Sequence, residues 1–420
     1  MLKMRKMKDS GIEWIGEIPE GWEVLAHKYI MHKEKSICEH YSGEDVISLT
    51  LNGVVKRDLE NPSGKMPTTF DGYQFVDPND LLLCLFDIDV TPRCVGLVKD
   101  YGVTSPAYSR FKIHSGFCNA YYNYLLRFID DEKVFVHLSK NLRSSLTESD
   151  FGAIKTIVPP KAEQQRIADY LDNRTFEIDT LLSKARSSIE EYKKLKQAVI
   201  TQAVTKGVRG EREMKDSGVE WIGEIPKEWD ILNLVAHTSM LTPMRDRPEN
   251  LDGPIPWIRI EDFDGKYISS SKASLGVSKE TVRSMNLKIY PVGTILCTSS
   301  CIMGKCAIVS RELVSNQRFI GIIPDQNTCE NFLYYLMLSN SERMNYLATG
   351  ALQANLSRSS FEHLKVQFPS YQEQKEISDY LDTKCAEIDK LIAKKEQLVK
   401  ELESYKKSLI YEVVTGKREV

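Results

Sequence analysis

The chain has 420 residues, 42% of them hydrophobic and 27% charged, with a formal net charge of −3 at pH 7. This length predicts two or three domains, and the composition excludes a disordered or fibrous protein. No apolar run approaches the roughly 20 residues of a membrane span, so we expect a cytoplasmic protein. A slightly acidic chain binds nucleic acid only if its basic residues are gathered on one face or a partner supplies phosphate contacts.

The nine cysteines are scattered and include no Cys-x-x-Cys pair. The closest group is Cys297, Cys301 and Cys306, whose spacings of four and five match no zinc pattern. We therefore expect reduced thiols, with no metal site and no cofactor.

Residues 7–24 return at 214–231 with 13 of 18 positions identical. With their flanking residues, the two repeats form the segments 1–24 and 207–231, which we call the lead-ins. Each carries two tryptophans, which predicts a folded segment anchored by aromatic burial rather than a flexible linker. The tryptophans are Trp14 and Trp22 in the first lead-in and Trp221 and Trp229 in the second.

Each lead-in is followed by a module, residues 25–159 and residues 232–369. The first module shows strand-like runs at Val46–Leu51, Asp80–Phe86 and Val95–Val98, and a helical pattern at Ala120–Ile129. Both modules are therefore predicted to be mixed α and β domains of ordinary size. They share a plan but little sequence.

Each module leads into a long apolar periodicity, residues 160–206 and residues 370–416. Both begin with Glu-Gln-x-x-Ile-x-Asp-Tyr-Leu-Asp, from Glu163 and from Glu373, at an offset of 373 − 163 = 210. The spacing predicts helices about 60 to 70 Å long, which need a partner and favour an intramolecular coiled coil. An ordinary amphipathic helix on its own domain is the alternative. The predicted inward stripe includes Leu181, Leu195, Tyr380, Leu391 and Tyr405.

The lead-ins and helices are alike while the modules differ, which is expected when one scaffold presents two modules to two targets. Sequence patterns for nucleotide binding, methyl transfer or hydrolysis are missing. The acidic string Glu261–Lys266 could in principle hold a catalytic metal, but its Asp-Gly is better explained by a hairpin turn. We therefore expect a binding protein rather than an enzyme.

The sequence resembles the specificity subunit of type I restriction–modification enzymes along essentially its whole length. The resemblance lies in Gly-x-Glu-Trp-Ile-Gly-Glu-Ile-Pro-x-x-Trp, from Gly11 and Gly218, and in Pro-x-x-x-Glu-Gln-x-x-Ile-x-x-Tyr-Leu, from Pro159 and Pro369. The string 315–318, Ser-Asn-Gln-Arg, is also similar to the family. The first module departs from the family at 105–108, Ser-Pro-Ala-Tyr.

The resemblance implies an α+β protein with an internal pseudo-twofold repeat. Two target-recognition domains would be separated by two long antiparallel helices, and each domain would recognise one half of a bipartite double-stranded DNA sequence. The helices would dock two methyltransferase subunits, and restriction motor-nuclease subunits would join for cleavage. The subunit itself would be non-catalytic.

Two loops that follow central strands are the favoured DNA contacts, Asp87–Arg93 and Ser299–Lys305, because they place basic residues beside short polar ones. A surface ion pair or phosphate contact is the competing explanation for each residue. The predicted DNA-binding residues are Arg57, Asp87, Asp89, Thr91, Arg93, Arg110, Arg259, Ser299, Ser300, Lys305 and Arg318. The predicted partner-binding residues, on the outer helix faces, are Glu163, Gln164, Arg166, Asp169, Glu373, Gln374, Lys375 and Asp379.

A different function also fits the repeat. Two divergent modules on a coiled-coil spacer could form a bivalent adaptor that holds two proteins and does not bind DNA. The DNA hypothesis predicts a sequence-dependent complex that weakens steeply as salt rises, and the adaptor hypothesis does not.

Overall fold

A computed structural model describes residues 5–51, 53–62, 67–139, 144–243, 246–300, 304–348 and 356–420. The chain packs into two compact units. The first unit contains residues 1–186 and 397–420, and the second contains residues 187–396. Each unit therefore combines one module with parts of both long helices.

The first unit contains a four-stranded sheet in the order β10-β9-β12-β4 and a five-stranded sheet in the order β5-β8-β11-β6-β7. Most neighbouring strands are antiparallel, but β6 and β11 are parallel, with Val46 opposite Val103. The strands are β1 (Met7–Asp9), β2 (Glu17–Pro19), β3 (Glu23–Ala26), β4 (Met31–Lys33), β5 (Ile37–Cys38), β6 (Val46–Thr50), β7 (Gly53–Lys56), β8 (Tyr73–Val76), β9 (Leu81–Leu83), β10 (Val95–Leu97), β11 (Gly102–Thr104), β12 (Ser109–Ile113) and β13 (Lys155–Val158).

The second unit repeats this plan with a five-stranded sheet, β17-β24-β21-β22-β19, and a three-stranded sheet, β20-β18-β23. Here the parallel pair in the smaller sheet is β18 with β23, and Trp257 lies opposite Val314. The strands are β14 (Met214–Asp216), β15 (Glu224–Pro226), β16 (Asp230–Asn233), β17 (Thr238–Leu241), β18 (Ile255–Ile258), β19 (Tyr267–Ile268), β20 (Gly276–Val277), β21 (Ile295–Thr298), β22 (Cys306–Val309), β23 (Val314–Ser315), β24 (Phe319–Pro324) and β25 (Lys365–Phe368).

The two long helices form as the apolar periodicity predicts, within a residue or two of the expected ends. They stop where Gly207 and Gly416 adopt φ of 75° and 74°, a left-handed conformation that favours glycine after a helix. The helices are α1 (Asn119–Asp131), α2 (Val134–Leu138), α3 (Glu148–Ala153), α4 (Lys161–Lys206), α5 (Lys279–Ser284), α6 (Glu330–Ser339), α7 (Ser341–Leu347), α8 (Arg358–Glu362) and α9 (Tyr371–Val414).

Within each unit, α4 and α9 run antiparallel. In the first unit Lys406 pairs with Asp179 at 2.6 Å, and Arg186 pairs with Glu403 at 2.6 Å. In the second unit Lys196 pairs with Asp389 at 2.7 Å. Positions that increase along one helix are therefore matched by positions that decrease along the other, as the predicted intramolecular helix pair requires.

One tryptophan of each lead-in anchors its unit. Trp22 and Trp229 are 0% and 1% exposed. The other two are less buried than predicted: Trp14 is half-buried, and Trp221 is exposed and stacks against the Arg343 guanidinium at 3.9 Å. The prediction of two buried tryptophans per lead-in was therefore wrong for Trp221, whose ring is covered on one side by an arginine.

Candidate nucleic-acid interface

A polar cavity of about 430 Å³ opens in the second module. The parallel pairing of β18 and β23 creates it, because the carboxyl ends of parallel strands lie at the same sheet edge. Arg259 follows β18 directly, and residues 316–318 connect β23 to β24. The cavity is lined by Arg247, Leu251, Trp257, Arg259, Ile260, Glu261, Asn316, Gln317 and Arg318.

Several hydrogen-bonding side chains lie close together in this cavity. Asn316 Oδ1 accepts a hydrogen bond from the Arg318 backbone N–H at 3.0 Å, which fixes the turn. Gln317 and Arg318 have exposed side chains. Arg259 lies 3.1 Å from Glu261, and its buried Nε has no hydrogen-bond partner among the described residues. Arginine matches the acceptor edge of guanine, and asparagine or glutamine matches adenine.

Two of the predicted DNA-binding residues in the second module, Arg259 and Arg318, line this cavity. Ser299 and Ser300 are buried, and Ser299 is tied into the fold because its N–H donates to the Arg318 carbonyl at 2.8 Å. Burial argues against direct base contact by either serine. Lys305 is exposed, while residues 301–303 of the predicted loop lie outside the described residues.

Asn316 and Gln317 were not among the predicted DNA-binding residues, although they lie in the string that resembles the family. Arg247 and Trp257 were not predicted either. The missing information is the pairing of two strands that are 57 residues apart (314 − 257), which no local pattern shows. The family-like string was the available signal.

In the first module the predicted loop forms a tight turn. Asp87 has a φ of 46°, and the Thr91 hydroxyl donates to its carbonyl at 2.8 Å. Asp87 and Asp89 are exposed, and Thr91 is half-buried. The Arg93 side chain is 13% exposed, and its Nε donates to the Leu51 carbonyl at 2.9 Å. Arg57 follows β7 directly and is half-buried.

The prediction that Arg110 contacts DNA is contradicted by its burial, since its side chain is 2% exposed. Its Nε and Nη2 each lie 2.5 Å from a carboxylate, Asp80 and Asp77 respectively. Burial raises the pKa of Asp80, whereas hydrogen bonding to the Asp77 N–H and to Arg110 lowers it. Arg110 thus stabilises the interior of the module.

Half of the predicted partner-binding residues are also buried. The Trp22 indole N–H donates to Glu163 at 3.0 Å, and the Trp229 indole N–H donates to Glu373 at 3.0 Å. The next residue of each helix makes an equally repeated contact. Gln164 accepts from the Cys118 N–H at 2.9 Å, and Gln374 accepts from the Cys329 N–H at 2.8 Å.

The repeated Glu-Gln pair is therefore a joint between helix and module, and its predicted role on an outer face was wrong. The sequence showed that the pair repeats, but it could not show that tryptophan indoles and backbone N–H groups cover it. The exposed members of the predicted set are Arg166, Asp169, Lys375 and Asp379.

The stripe predicted to face inward is also exposed in several places. Leu181 and Leu391 occupy equivalent positions, 391 − 181 = 210, and are 52% and 42% exposed. Leu195, Tyr380 and Tyr405 are exposed as well. The apolar surface of these helices is thus wider than one seam, and part of it faces solvent.

Among the described residues, no cluster of three or more His, Cys, Asp or Glu side chains is arranged to hold a metal ion. Within the same ranges, no helix is long and apolar enough to cross a membrane.

Comparisons with known proteins agree on one family. Residues 230–401 match the type I restriction modification DNA specificity domain. The MjaIX specificity subunit of Methanocaldococcus jannaschii is 34% identical over 181 residues, which cover 41% of this chain and 41% of that protein. The MjaVIII specificity subunit of the same organism is 25% identical, covering 64% of this chain and 63% of that protein. The matched regions thus span less than two thirds of these relatives.

Solved structures share the fold over almost the whole chain. A chain from a structure of complex assembly and conformational transition of the type I R-M system has a TM-score of 0.74 at 12% identity, covering 96% of this chain and 99% of that one. The HsdS subunit from Thermoanaerobacter tengcongensis has a TM-score of 0.53 at 14% identity, covering 96% and 98%. The chain thus contains a match to the type I DNA specificity domain over residues 230–401, is similar to specificity subunits of type I restriction enzymes, and shares its fold with these solved structures.

Proposed function

We propose that this protein is a non-catalytic subunit that recognises a bipartite DNA sequence, each module binding one half. The observation that carries the proposal is the cavity of the second module, where Arg259, Asn316, Gln317 and Arg318 converge. It lies within the residues that match the DNA specificity domain. The comparisons favour this function over the protein-binding adaptor.

The first module contains an equivalent parallel strand pair, β6 with β11, but different residues follow its second strand. Residues 105–108 follow β11 and present Ser-Pro-Ala-Tyr where the second module presents Ser-Asn-Gln-Arg. The Gln74 amide holds this loop by donating to the Ser105 and Tyr108 carbonyls at 3.1 and 2.7 Å. A different set of side chains on the same frame supports a different half-site for each module.

The outer faces of α4 and α9 supply the docking surface for two methyltransferase subunits in this proposal. Each helix has exposed charged residues near its start, Arg166 and Asp169 on α4 and Lys375 and Asp379 on α9, and an exposed leucine, Leu181 or Leu391, about 18 Å beyond the aspartate. Exposed apolar and charged side chains on one helix are features of protein interfaces. Restriction subunits would join the same assembly, and the helix pair would set the spacing of the two half-sites.

A mobility-shift assay with the cognate methyltransferase subunit tests the proposal. We expect a complex with DNA carrying the methylated motif of the source genome, at least about a thousandfold tighter than with scrambled DNA at physiological salt. The affinity should fall steeply as salt rises. Equal binding to both DNAs would contradict the proposal.

A further inference from the structure

The first unit contains a second cavity, of about 600 Å³, that lies between the module and the long helices. Five basic residues line it. Arg93 and Lys99 flank β10, Arg127 lies on α1, Arg186 on α4 and Lys406 on α9. A volume of this size holds a small organic ligand.

Neighbouring carboxylates compensate only part of this charge. Lys406 lies 2.6 Å from Asp179, and Arg186 pairs with an exposed glutamate outside the cavity lining. Arg93 is 3.6 Å from Asp131, and this is a long and weak contact. The cavity lining thus contains five cations and one carboxylate, Asp179.

Two arginines of the cavity, Arg93 and Arg127, have incompletely paired guanidinium groups. Buried Nη1 of Arg93 has no hydrogen-bond partner among the described residues. No ion pair or hydrogen bond joins Arg127 to any described side chain. Burial lowers the pKa of Arg127, and the nearby charge of Arg93 lowers it further, while Asp131 and Asp179 oppose that shift. An incompletely paired guanidinium in a recessed site is costly, and a bound anion would offset that cost.

Guanidinium groups match phosphate oxygens in geometry and charge and bind them through paired N–H donors. We propose that this cavity binds a phosphate group through Arg93 and Arg127, with Arg186, Lys406 and Lys99 adding positive charge. The phosphate comes either from a small phosphorylated molecule or from a DNA backbone. The inference does not rest on the proposed function, because binding of a free phosphate compound can be measured without DNA.

The second unit supplies an internal comparison. Tyr124 of α1 donates to Asp172 at 2.7 Å, and Tyr335 of α6 donates to Asp382 at 2.6 Å. Helices α1 and α6 are therefore equivalent. Arg127 lies three residues after Tyr124, and Leu338 lies three residues after Tyr335. Leu338 therefore occupies in the second unit the position of Arg127 in the first.

The helix offset of 210 likewise places Glu396 at the position of Arg186 (186 + 210 = 396). The second unit thus replaces one cavity arginine with an apolar residue and another with an acid. These natural replacements define the variants for a test of the site.

Isothermal titration of the full-length chain with pyrophosphate, at fixed ionic strength, tests the site. We expect one-to-one binding by the wild type. Arg127→Leu removes one charge-assisted contact and Arg186→Glu reverses one charge of the cavity lining; both copy the second unit, and each should weaken binding at least about tenfold. Arg174→Leu is the matched control, because Arg174 is exposed on α4 outside the cavity and pairs with Glu177, and it should bind like the wild type.

The proposal is overturned if the wild type gives no binding heat up to millimolar pyrophosphate, or if Arg127→Leu and Arg186→Glu bind as tightly as the wild type. Arg186 is exposed, so its variant keeps the test valid even if Arg127→Leu fails to fold. Adding a 30-base-pair duplex then identifies the source of the phosphate. Competition with pyrophosphate assigns the site to a DNA backbone, and unchanged pyrophosphate affinity assigns it to a small molecule; both support a phosphate site.

Discussion

The joints between helix and module are nearly identical in the two units, whereas the charged residues of the modules are not. Trp22 and Glu163 in the first unit make the same contact as Trp229 and Glu373 in the second. By contrast, the first module buries Arg110 in its interior, while the second presents Arg318 on its surface. The repeated part of the sequence therefore maintains the fold, and the divergent part is free to differ, as the proposed recognition of two different half-sites requires.

Removing a joint carboxylate should have the largest effect on stability. Glu373→Ala leaves the Trp229 indole N–H without its acceptor, 3.0 Å away, and removes the buried carboxylate 2.6 Å from Arg212, which keeps only the exposed Glu228 as an ion-pair partner among the described residues. We expect a loss of about 3 to 5 kcal/mol, as for other broken buried ion pairs. Hydrogen exchange, which resolves local unfolding, should show the loss in the second unit.

Glu163→Ala is the matched variant and should weaken protection in the first unit instead. Unchanged exchange in both variants would show that the repeated joint does not hold the modules.

Replacing the buried arginine should destabilise the first module. Arg110→Met removes the partner of Asp80, whose carboxylate is 2.5 Å away, at a cost of about 3 kcal/mol. Arg318→Met, on the surface of the other module, should change stability by less than about 0.5 kcal/mol. Thermal unfolding of the two variants side by side checks the contrast, and equal melting temperatures would argue against it.

Acid should weaken the first unit through His27. Burial lowers its pKa from 6.5 to about 4, against the effect of its hydrogen bond to the Phe151 carbonyl. The unfolded chain therefore gains a proton as the pH falls below about 6.5, while the folded chain does so only near pH 4. The unfolding free energy therefore has its full value above pH 6.5 and decreases as the pH falls from 6.5 to 4. The loss is roughly 2 kcal/mol at pH 5.

The equivalent position in the second unit is Leu234, at an offset of 207 (27 + 207 = 234). His27→Leu should remove this part of the pH dependence, measured as the change in unfolding free energy between pH 7 and pH 5. A variant that keeps the full dependence would exclude His27 as the cause.

The smallest expected effect concerns DNA discrimination. Arg318→Ala should leave the fold intact and lower the preference for the correct base in one half-site by at least about 1 kcal/mol. Binding selection from a randomised DNA pool, with the methyltransferase subunit present, measures this. Lys305→Ala, a control on the same module, should instead weaken binding to all sequences alike if Lys305 contacts phosphate.

The long helices could be predicted from sequence because their periodicity is local and continues without Pro or Gly. The sequence could not assign Glu163 or Arg110 to the interior. Their burial depends on Trp22 and Asp80, which lie 141 and 30 residues away along the chain. The parallel pair of β18 and β23 was hidden for the same reason, so Arg259 and Arg318 could be predicted as candidates but not Arg247, Trp257, Asn316 and Gln317 beside them.

Exchange of the first module tests most directly whether the two modules act independently on a repeated scaffold. Residues 25–158 would be replaced by the first module of a known specificity subunit, and methylated adenines would be mapped with the methyltransferase subunit. We predict that one half of the methylated sequence changes, while the other half and the spacer length stay the same. Changes in both halves, or a changed spacer, would contradict the account.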